Sequence, residues 1–78
     1  MKGAANHRRI EIIQLVARSE GISLEDIAES LRCNNKTISE HTRRLVQAGL
    51  MNKTYEGRVV AHALSPYGKI FHTFLMTF

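Results

Sequence analysis

Apolar residues in this chain fall into three stripes of helical spacing, then a stretch of shorter period, then a fourth helical stripe. Ile10, Ile13, Val16 and Ala17 recur three or four positions apart, and Ile12 and Leu15 widen the stripe, so the first helix should bury more than one side. Asn6 is placed to cap it, residues 1–5 to form a loose terminus, and Gly21 to close it just after Ser19. Leu24, Ile27, Ala28 and Leu31 mark a short second helix over 24–32. Ser23-Leu24-Glu25-Asp26 opens it in the form of a capping box, with Asp where the longer Glu is usual. Asn34 then caps a third helix from Asn35 to about Ala48, with Ile38 and Leu45 turned inward and Gly49 as its terminator. So few residues separate the second and third helices that they must cross steeply, as in a helix-turn-helix.

Beyond Gly49 the period changes. Residues 50–55 and 58–64 read as two strands flanking Glu56-Gly57, where glycine supplies the positive φ of a tight hairpin. Ser65-Pro66 opens a last helix, with serine as cap and proline in the first turn, where its missing N–H costs nothing. The expected fold is mainly α with a small β-hairpin: a three-helix core, a hairpin wing and a C-terminal helix, forming one domain over 1–78.

A chain of 78 residues has room for a single core and hides only about 60% of the surface its unfolded form exposes. Support from a disulfide is closed to it, because Cys33 is the only cysteine. One unpaired cysteine and no recognisable leader point to a reducing, cytoplasmic setting. No apolar run reaches the roughly 18 to 20 residues that span a bilayer. The richest, residues 70–78, is broken by His72, Thr73 and Thr77.

Charge adds direction to this picture. The net charge is +4, and its distribution says more than its sum. Residues 20–32 carry Glu20, Glu25, Asp26 and Glu29 against Arg32 alone. Residues 36–58 carry Lys36, Arg43, Arg44, Lys53 and Arg58 against Glu40 and Glu56. This change of sign between neighbouring segments is expected of a protein with one face turned to phosphates.

The stretch "ISLEDIAESLRCNNKTISEHTRRLVQAGLMNKTYEGRVVAHALSPYGK" resembles the winged helix-turn-helix core of transcription regulators of the ArsR and MarR type. The likeness rests on Thr37-Ile38-Ser39-Glu40-His41 through Leu45 to Ala48-Gly49-Leu50, then a hairpin, then Leu64-Ser65-Pro66-Tyr67-Gly68-Lys69, and covers about residues 8–70. It implies double-stranded DNA as partner, with the third helix in the major groove and the wing on the minor groove or backbone.

The residues themselves agree with that implication. A helix in the major groove reads bases with its N-terminal half, while flanking groups hold phosphates. Asn35, Lys36, Thr37, Ser39 and Glu40 are the candidates for base reading. Asn35 suits a paired contact to adenine, and Lys36 a guanine or a phosphate. Asn34, Arg43, Arg44, Lys53 and Arg58 are the candidates for the DNA backbone, and Arg58 resembles the wing-tip arginine of relatives. Glu40 departs from the family pattern: it either accepts from cytosine N4 or pairs with Lys36 or Arg44 four residues away. Thr42 replaces the usual leucine and thins the contact of the third helix with the core. The competing reading is a basic face that is merely solvated, on a winged helix serving as a protein-interaction module, with wing charges that blunt a strand edge. Reading of Z-form duplexes is disfavoured, since such readers share a Pro-Trp feature in the wing and this chain has no Trp.

Other chemistry finds little support. His7, Cys33, His41, His62 and His72 are scattered, without the paired spacing of a metal site, so no metal and no cofactor are expected. Cys33 should serve packing. No triad spacing and no glycine-rich phosphate loop appears, so the chain is not expected to be an enzyme. Ile70, Phe71, Phe74, Leu75 and Phe78 exceed what a domain this small needs for its own core, and are the candidates for homodimerisation. A two-fold dimer would set its reading helices about 34 Å apart and recognise a near-palindrome.

Overall fold

The computed structural model describes the backbone of residues 2–77 and the side chains of residues 7–77. In chain order the elements are α1 (Lys2–Arg18), β1 (Ile22–Ser23), α2 (Leu24–Leu31), α3 (Asn35–Gln47), β2 (Met51–Glu56), β3 (Val59–Leu64) and α4 (Pro66–Thr77). Ile12, Ile13, Leu15 and Val16 of α1 form the centre of the core with Ile27 and Ala28 of α2, Ile38 and Leu45 of α3, and Met51 and Leu64 of the sheet. The wide apolar stripe of α1 thus meets every other layer. Ala17, expected on that stripe, is exposed.

Several boundaries differ from the sequence reading. α1 begins at Lys2, so Asn6 falls inside the helix and does not cap it, and residues 2–5 are helical rather than loose. Lys2, Ala4 and Ala5 are strong helix formers on either side of Gly3, and the helix runs on past the cap that Asn6 offered. Ile22 and Ser23, read as a connection, form a third strand: β1 pairs antiparallel with β3, Ile22 opposite His62, giving a sheet of order β1-β3-β2. A two-residue strand leaves no period to detect. The hairpin turn also sits one residue later than expected. Glu56 pairs with Val59, so Gly57 and Arg58 are the two turn residues, and Gly57 takes φ +65°.

α2 ends at Leu31, with Arg32 in the left-handed region at φ 56°, the described residues' one positive φ outside glycine. Its backbone N–H bonds back to Ala28 and Glu29 carbonyls and so terminates the helix where glycine is the usual choice. At the other end of α2, the Asp26 N–H donates to Ser23 Oγ at 3.2 Å, supplying the hydroxyl half of the capping box.

The corner between α3 and the wing is bolted to α4. The Ser65 hydroxyl donates to the Gly49 carbonyl at 2.6 Å and accepts from the Gly68 N–H at 2.9 Å, while the Ser65 N–H donates to the Leu50 carbonyl at 3.1 Å. Gly68 lies so close to this corner that a Cβ there would stand 1.9 Å from the Leu50 carbonyl oxygen.

Candidate nucleic-acid interface

α3 is positioned by its cap and its buried stripe. Asn34 Oδ1 accepts the Thr37 N–H at 2.7 Å and fixes the first turn. Ile38, Thr42 and Leu45 are buried on one side. Thr42 is fully enclosed, and its hydroxyl is satisfied by donating to the Ser39 carbonyl at 3.0 Å. The remaining face is open to solvent: Asn35, Lys36, Thr37, Ser39, Glu40, Arg43 and Arg44 are all exposed, beside the exposed cap Asn34. The structure therefore gathers the five expected base readers, and three of the five expected backbone contacts, on one helix surface.

The wing supplies the other two. Lys53 is half-buried, opposite the buried His62 in the ladder, and Arg58 is exposed in the turn. His62 donates Nδ1–H to the Ile22 carbonyl at 2.9 Å and ties the third strand to the wing base. A cleft of about 180 Å³ separates wing and helix, lined by Ser39, Thr42, Lys53, Arg58, Val60 and His62 together with Leu24 and Glu25 of α2. It borders Thr42, where the sequence led us to expect thinner contact than a leucine gives.

Glu40 is committed within its own helix. It forms ion pairs with Arg43, one turn on, and with Arg44 at 3.4 Å. The Arg43 hydrogen bond, helped by the charges of both arginines, holds its carboxyl below the usual range despite an opposing desolvation. Of the two sequence alternatives for pairing, Arg44 is the one engaged; Arg43 joins it, and no Lys36–Glu40 ion pair forms among the described residues.

The opposite flank of α3 carries residues that the sequence reading passed over. Arg9 of α1 donates Nε–H to His41 Nδ1 at 3.4 Å. Burial, then the charges of Arg9, Arg8 and Arg44, push the His41 imidazole below its usual value, with Glu40 opposing. Arg8 is held by Glu11 at 2.8 Å. The signal for this cluster was Arg8-Arg9 itself, a basic pair just ahead of the apolar stripe of α1.

The five residues assigned to dimerisation divide. Phe71 is half-buried against the core and Leu75 is half-buried, whereas Ile70 and Phe74 are 68% and 57% exposed. Phe78 lies outside the described residues. Tyr67 and Met76 add to the exposed apolar surface of α4. Cys33 is half-buried against the core, its thiol directed to the Leu31 carbonyl, and among the described residues no three His, Cys, Asp or Glu side chains converge as metal ligands. No described helix is long and apolar enough to cross a membrane.

Helix, steep turn, exposed capped helix and antiparallel wing together define a winged helix-turn-helix protein. The family model of the MarR family matches residues 5–55, well over half of the sequence, and the chain belongs to that family. This is a family of transcription regulators rather than enzymes. Among solved structures the chain resembles FabT of Streptococcus pneumoniae in complex with DNA, with a TM-score of 0.84 and 15% identity over 88% of this chain and 50% of that one. It also resembles the multiple antibiotic-resistance repressor of Listeria monocytogenes (TM-score 0.79, 20% identity, 85% of this chain and 46% of that one). A third likeness is to PcaV of Streptomyces coelicolor in complex with its natural ligand (TM-score 0.79, 22% identity, 83% and 48%). The chain spans about half the length of these proteins, and at such identities the likeness is one of fold. No curated protein sequence matches it.

Proposed function

We propose that this chain is a sequence-specific reader of double-stranded DNA in a transcription regulator, working as a homodimer in the cytoplasm. α3 enters the major groove, where Asn35, Lys36, Thr37, Ser39 and Glu40 meet base edges and Asn34, Arg43 and Arg44 meet phosphates. The wing carries Lys53 and Arg58 to the neighbouring minor groove or backbone. The observation that carries this reading is the division of α3 itself: one side wholly buried, the other a continuous exposed polar and basic surface beside a basic wing. Family membership supports the same reading, and so does the likeness to a protein solved with DNA. The exposed apolar residues of α4 support dimerisation through that helix, with Tyr67, Ile70, Phe74 and Met76 as the candidate contacts.

Fluorescence titration of labelled duplexes against salt tests the proposal. Affinity should fall steeply with salt, and neutralising Arg43, Arg44 or Arg58 should flatten the log–log slope by about one unit each. Absent or salt-independent binding to every duplex would refute it. Selection of bound sites from random duplexes should return near-palindromes with half-sites one turn apart.

A further inference from the structure

We propose that Arg9 and His41 form a second phosphate-contacting site, across the α1–α3 junction, and that occupation of this site takes up one proton at His41. The proposal rests on the DNA-reading function proposed above and extends it to residues outside the helix-turn-helix and wing.

A helix with its side chains is about 10–12 Å wide and a B-form major groove about 12 Å, so both flanks of an inserted helix face sugar-phosphate walls. On α3 one flank is met by the wing, where Ser39 and Thr42 look across the cleft to Lys53 and Arg58. The other flank has no wing, yet it is also basic. There Arg9 and Arg44 are the two charged residues of an otherwise apolar hollow of about 360 Å³, Arg9 reaches His41, and His41 lines a second depression with Lys36, Thr37 and Glu40. The cations of this second flank come from two elements, which gives it the same two-sided construction as the wing cleft.

Within the cluster, Arg9 and Lys36 are the cations without a carboxylate partner among the described residues, and Arg9 is the one that touches His41. Arg8 is engaged by Glu11, and Arg44 by Glu40. Arg9 has no carboxylate partner among the described residues; its Nε–H goes to an imidazole nitrogen instead. That bond requires a lone pair on His41 Nδ1, so the ring is neutral while the bond stands. The groups facing the ring are Arg8 and Arg9 from α1, and Arg44, Lys36 and Glu40 from α3. Partial burial first, and then the arginine charges against the one acid, weaken the ring's hold on a second proton.

A phosphate brought to this flank reverses that balance. Its charge offsets the arginines, and the ring then accepts a proton from the buffer at Nδ1. The new Nδ1–H can no longer accept from Arg9, so it becomes a donor to the phosphate and releases the Arg9 Nε–H to do the same. One proton is taken up, no covalent bond changes, and two charge-assisted donors replace one internal hydrogen bond.

The test is affinity for a mixed-sequence duplex at fixed ionic strength from pH 8 to about 5.5, and separately against salt at fixed pH. The wild-type chain should bind more tightly as pH falls, by up to about tenfold per unit in the window between the raised His41 value of the complex and its depressed value in the free protein. His41→Gln should lose that slope while keeping salt-dependent binding. Arg9→Gln should lose about one unit of salt slope, and Arg58→Gln should keep the wild-type pH slope. In an NMR titration, the His41 ring should protonate at higher pH with duplex than without. An unchanged pH slope in His41→Gln, a wild-type salt slope in Arg9→Gln, or a His41 titration indifferent to duplex would overturn the site while leaving DNA binding intact. Failure of the wild-type chain to bind any duplex would instead remove the reading on which it rests.

Discussion

Replacing Gly68 by alanine sets two physical effects against each other, and the structure decides between them. Gly68 sits in the first turn of α4 with ordinary helical backbone, so alanine there should be the better residue by about 1 kcal/mol of helix propensity. Its missing Cβ, however, is what lets α4 meet the Leu50 carbonyl. A carbon approaches a carbonyl oxygen comfortably at about 3.3 Å, whereas the added methyl would lie 1.9 Å from that oxygen and 2.9 Å from its carbon. The shortfall of about 1.4 Å cannot be taken up by the carbonyl, which already accepts the Ser65 N–H. α4 must therefore lift, stretching the Ser65 bonds to Gly49 and Gly68. Overpacking of this kind costs about 1–3 kcal/mol and each lost hydrogen bond about 1. Net of propensity, Gly68→Ala should destabilise by about 3 kcal/mol, lowering the melting temperature by more than about 10 °C in a domain this size. Urea and thermal unfolding followed by far-UV circular dichroism, at several protein concentrations because α4 is also the proposed dimer element, measure it. Thr73→Ala, at an exposed site of the same helix, is the control and should gain a few tenths of a kcal/mol. A Gly68→Ala protein as stable as wild type, or stabilised like the control, would refute the reasoning.

Three further outcomes follow from local features. Arg32→Gly should stabilise the fold by about 0.5–1 kcal/mol, since glycine relieves the left-handed backbone at φ 56° by more than it adds to unfolded-state entropy; a lower urea midpoint would count against this. The free protein should lose stability as pH falls below about 6.5, because the imidazole of His41, with its folded-state value depressed, binds its proton more readily unfolded than folded. That component should vanish in His41→Gln, and its persistence there would assign it to another histidine. Glu40→Gln should raise affinity for random duplexes several-fold and narrow the gap between preferred and random sites, both read from competition titrations; an unchanged gap would remove Glu40 from base reading.

The helices were legible in the sequence because each has an apolar period, and α2 and α3 add a cap and a terminator within their own few residues. Asn34 and Ser23 announce α3 and α2, and the charge reversal after Arg32 marks which of the two faces outward. What escaped was set by contacts distant in sequence. β1 exists because Ile22 and Ser23 lie against β3, some forty residues away, and no two-residue stretch can show that. The start of α1 lies four residues ahead of Asn6, beyond where its capping ability would place it. Arg9 and His41 belong to different stripes, and only the crossing of α1 on α3 makes them neighbours. The reading face was therefore visible as a pattern, while its second flank required the tertiary arrangement.

That arrangement gives a definite role to the one acid on the face. Glu40 sits where its carboxylate reaches both the third and the fourth following residues, so it holds Arg43 and Arg44 at once. In the free protein the C-terminal half of α3 is thus partly neutralised, and the open cations are Lys36 at the helix start, Arg9 on one flank and the wing pair on the other. On docking to any duplex, Arg43 and Arg44 exchange a carboxylate for phosphates, and the lost ion pairs offset part of the attraction those phosphate contacts bring. Glu40 is then left with its negative charge turned toward the groove and without its two arginine partners. Only where a base offers it a donor, as cytosine does through its N4 amino group, is that loss made good. An acid that weakens binding everywhere, but least at particular sequences, widens the interval between specific and non-specific affinity. In the proposed function, this is how one carboxylate amid six basic residues contributes to specificity by lowering affinity overall.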